Sequence, residues 1–450
     1  MRRVNIVHFV LIAVVLFSSL AQAQWKPAAG PLMTRWAKEV SPENALPEYP
    51  RPQMVRKDWL NLNGLWDYAI QPKDAARPDA FDGRILVPYP VESALSGVMK
   101  PVGPDNRLWY RRTFEIPKGE GWDREGRRIL LNFGAVDWDA TVWVNGAEIG
   151  NHKGGYDPFT FDITDALKEG GPQEIVLSVW DPTDAGTQPR GKQIRNPHGI
   201  WYTAVTGIWQ TVWLEPVAPR RIEGLRLTPD VDNAKLLVEI ATRLTRSDNV
   251  KVEVICDGEV IAQANGLNRI EVEIPNPRLW SPDDPFLYDV KISLGHFNQP
   301  VVFDQVTSYF GMRKTSLAKD ENGINRLFLN NKPLFQFGPL DQGWWPDGLY
   351  TAPTDEALKY DIEVTKKLGM NMARKHVKVE PGRWYYWCDK LGLLVWQDMP
   401  SGDRFIGGRD PDITRTEESA KQFDLELTRM IDAFRNHPSI VMWVPFNEGW

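Results

Sequence analysis

The sequence predicts a multidomain protein of the β plus α/β class, and three observations support this fold class. From about residue 58 to residue 312, short apolar runs are separated by turn residues, as in sheets of short strands. From about residue 313, short buried runs alternate with segments of helical spacing. The chain has 450 residues, of which 42% are hydrophobic and 25% charged, an ordinary globular composition. At about 150 residues per domain, this length predicts about three domains.

The charge balance excludes one class of partner. Lysine and arginine number 53 and aspartate and glutamate 59, so the formal net charge is −6 at pH 7. No stretch is strongly basic, whereas proteins that bind a nucleic-acid backbone concentrate positive charge on one surface. We therefore expect no nucleic-acid partner.

Residues 1–23 have the pattern of a secretory signal peptide. Arg2 and Arg3 precede an apolar stretch over residues 6–20, and Ala21-Gln22-Ala23 fits the small-x-small cleavage pattern. The alternative, a retained membrane anchor, needs about 20 apolar residues. We expect cleavage, export to a periplasm or to the outside, and no membrane partner afterwards. Loss of the two arginines leaves a mature charge of 51 − 59 = −8, and residues 24–57 then form an extended N-terminal arm.

Residues 58–218 predict a jelly-roll sandwich. Runs such as 65–70 and 108–116 alternate apolar and polar residues, and no segment here has convincing helical spacing. The run 140–144 leads into Asn145-Gly146, a dipeptide that favours a type I′ hairpin because both residues tolerate positive φ angles. About eight such strands favour a jelly roll. We expect most of its tryptophans to lie in the core, namely Trp138, Trp143 and Trp209.

Residues 219–312 predict a second, smaller β-sandwich of the immunoglobulin-like kind. Roughly 90 residues with about seven strand-like runs fit that architecture. The Cys-Trp-Cys hallmark is absent, so the prediction depends on the strand pattern alone. The whole chain has only Cys256 and Cys388, which excludes a disulfide framework and favours buried free thiols. No Cys/His cluster has zinc-ligand spacing.

Residues 313–450 predict a parallel α/β unit. Thr354 is placed to cap a helix that Gly369 ends, Pro381 to open a second helix that Gly392 stops, and Phe423 and Phe434 to mark a third. The runs between and around these helices are short and apolar, as in buried parallel strands. The expected strands are 334–337, 371–374, 393–397 and 440–444.

The strongest chemical signal follows the last of these strands. The apolar run Ile440–Val444 is followed by Asn447 and Glu448, an amide and an acid at the point where catalytic groups of a barrel sit. A carboxyl group desolvated there by Trp443 and Trp450 would have a raised pKa and could donate a proton to a leaving oxygen. The alternative is an ordinary loop acid after a strand.

Several motifs together make the chain after the signal resemble glycoside hydrolase family 2, the group of β-galactosidases, β-glucuronidases and β-mannosidases. One Asn-Glu pair would not be specific, but the combination is. The matching stretches are 62–66 (LNGLW), 143–146 (WVNG), 154–159 (GGYDPF), 207–215 (GIWQTVWLE), 436–440 (NHPSI) and Asn447-Glu448. The resemblance implies a carbohydrate substrate and, for residues 313–450, the first four strands of a TIM barrel.

The resemblance also implies roles for individual residues. Glu448 matches the general acid/base at the end of the fourth barrel strand, Asn447 the amide that contacts the sugar 2-hydroxyl, and Arg374 an active-site arginine at the end of the second strand. The implied reaction is retaining hydrolysis of β-glycosidic bonds. The nucleophile of the family is a glutamate at the end of the seventh strand, so we expect it C-terminal to Trp450. The chain is then a fragment of a longer product, and inactive alone; the alternative is a truncated relative or a non-catalytic carbohydrate-binding protein.

Four further residues are candidates for substrate binding, each with a structural alternative. Asp398 ends the third predicted strand, and His376 and Asp341 lie on neighbouring loops; each side chain is placed to bind substrate or to make structural hydrogen bonds. Trp345 is placed to stack on a sugar ring or to lie in the core or at its rim. Lys378 and Glu380 follow on the same loop as His376, and we expect such charges to be solvated.

The sugar, the oligomeric state and metal dependence stay open at this point. The sequence differs from the β-galactosidase pattern at Arg374-Lys375-His376, at 338–345 and at 395–398, so the resemblance does not name the sugar. We predict no cofactor and assign no metal ligand; the alternative is a divalent metal ion or Na⁺ near Asp398.

Overall fold

The structure is a computed structural model, and it describes residues 25–447 apart from 31, 120, 124, 125, 298, 300, 405, 407, 408, 410 and 412. The predicted signal segment 1–23 and the candidate acid/base Glu448 lie outside the described residues. None of the helices in the described part of the chain is long and apolar enough to cross a membrane.

The first domain is a jelly-roll sandwich, as predicted, with a six-stranded and a four-stranded sheet whose apolar faces enclose Trp66, Tyr110 and Phe133. Asn145 and Gly146 connect two of its strands with φ angles of 52° and 87°, which confirms the predicted hairpin. Within the described residues its strands are β1 (Leu60–Asn61), β2 (Gly64–Pro72), β3 (Gly83–Val87), β4 (Asn106–Phe114), β5 (Arg128–Phe133), β6 (Val136–Asp137), β7 (Asp139–Val144), β8 (Ala147–Lys153), β9 (Phe159–Asp162), β10 (Gln173–Trp180), β11 (Gly207–Ile208) and β12 (Val212–Val217).

The second domain is a smaller sandwich whose three-stranded and four-stranded sheets enclose a separate apolar core. Cys256 lies here, half-buried, while Cys388 is buried in the third domain, and both are free thiols. The strands are β13 (Ile222–Asp230), β14 (Lys235–Thr242), β15 (Asp248–Cys256), β16 (Glu259–Gly266), β17 (Arg269–Glu273), β18 (Tyr288–His296) and β19 (Val302–Phe310).

The third domain begins with a small antiparallel sheet and continues as a four-stranded parallel sheet in chain order, with helices between the strands. The helices begin and end close to the predicted residues, because Thr354 accepts the N-terminal cap bond from the Ala357 amide and Gly392 takes the left-handed conformation, with φ 76°. The strands are β20 (Thr315–Lys319), β21 (Asn325–Leu329), β22 (Lys332–Pro333), β23 (Leu340–Asp341), β24 (Met372–Lys375), β25 (Leu394–Asp398) and β26 (Ile440–Val444). The α-helices are α1 (Asp355–Lys367), α2 (Gly382–Leu391) and α3 (Glu417–Phe434).

The first parallel strand lies later than the sequence predicts. The run 334–337 was expected to be a buried strand, but Phe335 and Phe337 are 82% and 52% exposed. The Leu334 amide instead bonds to the Leu327 carbonyl and extends the antiparallel hairpin, so the parallel strand forms only at Leu340–Asp341. An apolar run does not show from sequence alone whether it is buried.

The jelly roll packs directly on the third domain. Its segment 188–202 crosses the ends of the parallel strands, where the Arg190 and Gly191 amides both donate to the Ser401 carbonyl at 2.8 and 2.9 Å. On the flank of α3, the Trp138 indole donates to the buried Glu426 carboxyl at 3.2 Å. These contacts place residues of the first domain beside the carboxyl ends of the parallel strands.

Candidate active site

The candidate residues meet at one edge of the parallel sheet. Asp341 ends β23, Arg374 lies at the end of β24, Asp398 ends β25, and Asn447 follows β26 by three residues. Because neighbouring parallel strands run in the same direction, their carboxyl ends lie side by side. Glu448 is outside the described residues, but it is the next residue after Asn447.

Arg374 is the centre of this cluster. Its Nε lies 2.9 and 3.1 Å from the two Asp398 carboxylate oxygens, and one Nη lies 2.9 Å from Asp398 Oδ2 and 3.0 Å from Asn447 Oδ1. The Asp398 side chain is 1% exposed and the Arg374 side chain 30%, so Arg374 is the accessible member of the pair and Asp398 its buried support. A planar, charged donor fixed in this way is suited to binding sugar oxygens.

His376 joins the same cluster. Its Nδ1 lies 2.8 Å from Asp398 Oδ2, and its backbone amide donates to the Asp341 carbonyl at 2.8 Å. The structure therefore brings together Arg374, His376, Asp398 and Asn447 through side-chain hydrogen bonds. Both Asp398 oxygens accept bonds from protein groups, so a metal ion placed there would have to displace them. In the described part of the chain, no three His, Cys, Asp or Glu side chains are grouped to hold a metal ion.

Asp341 belongs to a second, buried network. Its Oδ2 lies 2.7 Å from Lys375 Nζ, and its Oδ1 accepts from the Gly343 amide at 2.8 Å. Burial works against ionisation of this carboxyl group, yet the adjacent Lys375 ammonium lowers its pKa below the ordinary value. Asp341 is therefore a fixed, ionised acceptor beside the Arg374 cluster.

The expectation that Lys378 and Glu380 are solvated is wrong. Their side chains are 0% and 2% exposed, and Lys375 is 1% exposed. Glu380 Oε1 lies 2.9 Å from both Lys375 Nζ and Lys378 Nζ. Burial lowers the pKa of Lys378 to about 8, against the attraction of Glu380. The charges are internal because they compensate one another, which sequence spacing does not show.

Trp345 lies in the core. It is 7% exposed and packs edge-on against Trp36 of the N-terminal arm, with ring centroids 6.0 Å apart. Its neighbour Trp344 is only partly buried and lies against Tyr202 of the jelly roll, 4.2 Å between centroids. The residue predicted from the sequence, Trp345, is thus the more buried of the two adjacent tryptophans. No local sequence signal separates the two, because their burial depends on packing against Trp36 and Tyr202, which are distant in the chain.

The chain is similar to known glycosidases along most of its length. It is 29% identical over 420 residues to a β-galactosidase of Thermoanaerobacter pseudethanolicus, covering 87% of this chain and 52% of that protein. It is 25% identical over 472 residues to the β-glucuronidase of Canis lupus familiaris, covering 94% of this chain and 68% of the relative. The chain thus spans about half the length of the first of these relatives.

Solved structures share the fold. A β-glucuronidase of Ruminococcus gnavus superimposes with a TM-score of 0.73 at 21% identity, over 90% of this chain and 69% of that one. A β-glucuronidase of Dictyoglomus thermophilum superimposes with a TM-score of 0.71 at 22% identity, over 88% and 67%.

Three family models match successive parts of the chain. Residues 83–214 match the model described as "Glycosyl hydrolases family 2, sugar binding domain", and residues 220–313 match "Glycosyl hydrolases family 2". Residues 325–449, which contain every candidate site residue, match "Glycosyl hydrolases family 2, TIM barrel domain". Since the three matches belong to one family, follow its domain order and together span most of the sequence, the chain belongs to glycosyl hydrolase family 2.

Proposed function

We propose that the protein is an exported glycosidase that hydrolyses β-linked sugars with retention of configuration. The observation that carries the proposal is the bonding of Arg374 to both Asp398 and Asn447 at the carboxyl edge of the parallel sheet. This bonding holds the Arg374 guanidinium beside the Asn447 amide. Asn447 is the residue directly before Glu448 in the chain.

Glu448 is the general acid/base of this proposal. In the first step its carboxyl group protonates the glycosidic oxygen as the sugar leaves, and in the second its carboxylate takes a proton from the attacking water. Asn447 and Arg374 bind sugar hydroxyl groups near the reacting carbon, and His376 and Asp341 bind groups further along the ring. Retention needs a second carboxylate about 5–5.5 Å from the first, and we assign none among residues 1–450.

The substrate class is a β-galactoside or a β-glucuronide. The relatives that support it carry the names β-galactosidase and β-glucuronidase. The chain's own residues provide charged and amide donors for either sugar, and the choice between them is left to experiment. The reaction proposed here needs no cofactor.

A panel of aryl glycosides tests the activity. We expect the full-length gene product to cleave an aryl β-galactoside or β-glucuronide, and Glu448→Gln to lower kcat/KM by about 10²–10⁴-fold, because the amide cannot transfer the proton. Glu417→Gln, on the exposed face of α3, is the matched control and should retain full activity. Absence of cleavage of any substrate, or normal turnover by Glu448→Gln, would contradict the proposal.

The stereochemistry of the product tests the mechanism. Proton NMR during the first minutes of hydrolysis should show the β anomer of the free sugar before mutarotation. An initial α anomer would instead indicate single-step inversion, in which the two carboxyl groups stand about 6.5–9.5 Å apart.

Export is a separate part of the proposal. It is supported by the basic, apolar and small-x-small pattern of residues 1–23. In a secreting bacterial host we expect the protein in the periplasm or medium, with Gln24 as its first residue by mass spectrometry. A cytoplasmic product that still begins at Met1 would refute it.

A further inference from the structure

Lys375, Lys378 and Glu380 form a buried ion cluster with an unusual arrangement. Both ammonium groups lie 2.9 Å from the same oxygen, Oε1 of Glu380, while Glu380 Oε2 is buried and has no hydrogen-bond partner among the described residues. Lys375 also binds Asp341 at 2.7 Å, which balances the second positive charge. The cluster therefore connects β24 and the segment after it to the end of β23.

Lys378 also ties down the segment that follows β23. Its Nζ donates to the Gly343 carbonyl at 2.5 Å and to the Tyr350 carbonyl at 3.0 Å. These two carbonyls stand at the start and the end of the turn that carries Trp344 and Trp345. Gly343 has φ +59°, and a Cβ added there would lie 1.9 Å from Glu380 Oε1, so the turn is seated closely on the cluster.

Stability alone does not account for this arrangement. Removing the ionised side chains of Lys375, Lys378 and Glu380 from water is costly, and apolar side chains of similar volume often stabilise a protein equally well or better. Apolar residues, however, could not hold Asp341 and the carbonyls of Gly343 and Tyr350 in defined positions, because they make no hydrogen bonds. The cluster therefore fixes the position of Asp341, a candidate site residue, and of the turn that follows it.

We propose that Lys378 and Glu380 are positioning residues, which hold residues 341–350 in the conformation that binds substrate without contacting the substrate themselves. Lys378 acts through the Gly343 and Tyr350 carbonyls, and Glu380 acts through the two lysines and hence on Asp341. The expected change in KM rests on the proposed function. The expected effect on the order of residues 341–350 does not.

A matched pair of lysine variants tests the proposal. Lys366 Nζ also donates to two carbonyls, of Pro282 and Gly392 at 2.7 and 2.8 Å, but at the opposite edge of the sheet. In the full-length protein, Lys378→Met should raise KM for the cleaved aryl glycoside by about tenfold or more and change kcat by less than about threefold. Lys366→Met should change neither KM nor kcat by more than about twofold. A residue with a merely structural role would lower the amount of folded enzyme and leave KM unchanged.

Hydrogen exchange tests the same proposal without any activity. The turn contains amide bonds that report its order, including the reciprocal Trp345–Leu349 pair at 2.8 Å and the Gly343 amide on Asp341. We expect peptides covering 341–350 to exchange at least about tenfold faster in Lys378→Met and Glu380→Gln, and at the wild-type rate in Lys366→Met. Unchanged exchange in Lys378→Met, or an equal KM rise in Lys366→Met, would overturn the inference. Failure of every glycoside in the panel would reject the proposed function, and the exchange result would still decide this inference.

Discussion

At the residue scale, Asp398 organises the candidate site. Its two oxygens hold the Arg374 guanidinium through both Nε and Nη and hold the His376 ring, so one buried carboxylate sets the position of two cationic or polar groups. Because the side chain is 1% exposed, water is a poor substitute for these bonds.

Asp398→Asn should therefore damage the site, although the two side chains are almost the same size. The amide nitrogen cannot accept a hydrogen bond, so one of the donors that now face Asp398 is left without its acceptor. We expect kcat/KM to fall by about 10²-fold, as for other misplaced site groups, and the third domain to lose roughly 1–3 kcal/mol. Steady-state kinetics and urea unfolding followed by tryptophan fluorescence measure the two effects.

The control for this variant is a carboxylate on the surface. Asp432 pairs with Arg435 at 2.9 Å, but its side chain is 62% exposed. Asp432→Asn should change stability by less than about 1 kcal/mol, as exposed pairs usually do, and should leave the kinetics unchanged. Equal losses in both variants would mean that the Asp398 bonds have no special part in the site.

At the element scale, segment 188–202 of the jelly roll is one of the places where the first domain contacts the parallel strands. Gly191 has φ +63°, and a Cβ added there would lie 2.4 Å from the Val377 carbonyl, next to His376. Gly199 on the same segment has φ +57°, but nothing would lie within 4 Å of its Cβ. The two glycines share a backbone conformation and differ in the space around them.

Gly191→Ala should be clearly worse than Gly199→Ala. Both substitutions introduce left-handed strain of about 1–2 kcal/mol, but only Gly191→Ala also pushes the segment away from Val377. We expect a lower thermal midpoint and a higher KM for Gly191→Ala, with only a small loss of stability and normal KM for Gly199→Ala. Indistinguishable variants would show that the segment does not need this close contact.

At the scale of the whole molecule, the interface between the jelly roll and α3 contains a buried acid. Glu426 is 3% exposed and accepts bonds from Gln422 and from Trp138 across the interface. Burial, together with the nearby Asp157, raises its pKa from 4.5 to about 7. The domains are thus packed around a carboxyl group that is protonated at mildly acidic pH.

This raised pKa predicts the pH dependence of stability. The unfolded chain releases the proton near pH 4.5 and the folded protein near pH 7, so the folded state binds more protons between these values and stability falls as pH rises through the window. The loss is at most about 3 kcal/mol above pH 7. Glu426→Gln cannot ionise, so its thermal midpoint relative to wild type should be higher at pH 8 than at pH 5. Glu417→Gln, whose side chain is 83% exposed, is the control and should show no such pH-dependent difference; the same midpoint difference for Glu426→Gln at both pH values would contradict the prediction.

Much of the site could be predicted from the sequence because strand ends are readable in an α/β pattern. A short apolar run that stops at a polar residue places that residue at the edge of the sheet, which predicted Asp398 and Asn447. Arg374 was predicted from the resemblance to glycoside hydrolase family 2, and it lies at the same edge. It did not find Lys378 and Glu380, since a charge on a loop reads as solvated unless its partners are known. Those partners, Lys375 and Asp341, become neighbours only when β23 and β24 pair.

The sequence alone was sufficient to predict the order of domains, the helix caps and the hairpin at Asn145-Gly146, because these depend on local backbone preferences and on the period of apolar residues. It also determined the family, through motifs in all three domains. The packing of the domains established which of Trp344 and Trp345 is more buried, which charges are internal, and that the jelly roll reaches the edge of the parallel sheet. These properties depend on contacts between residues tens to hundreds of positions apart, and no local pattern contains them.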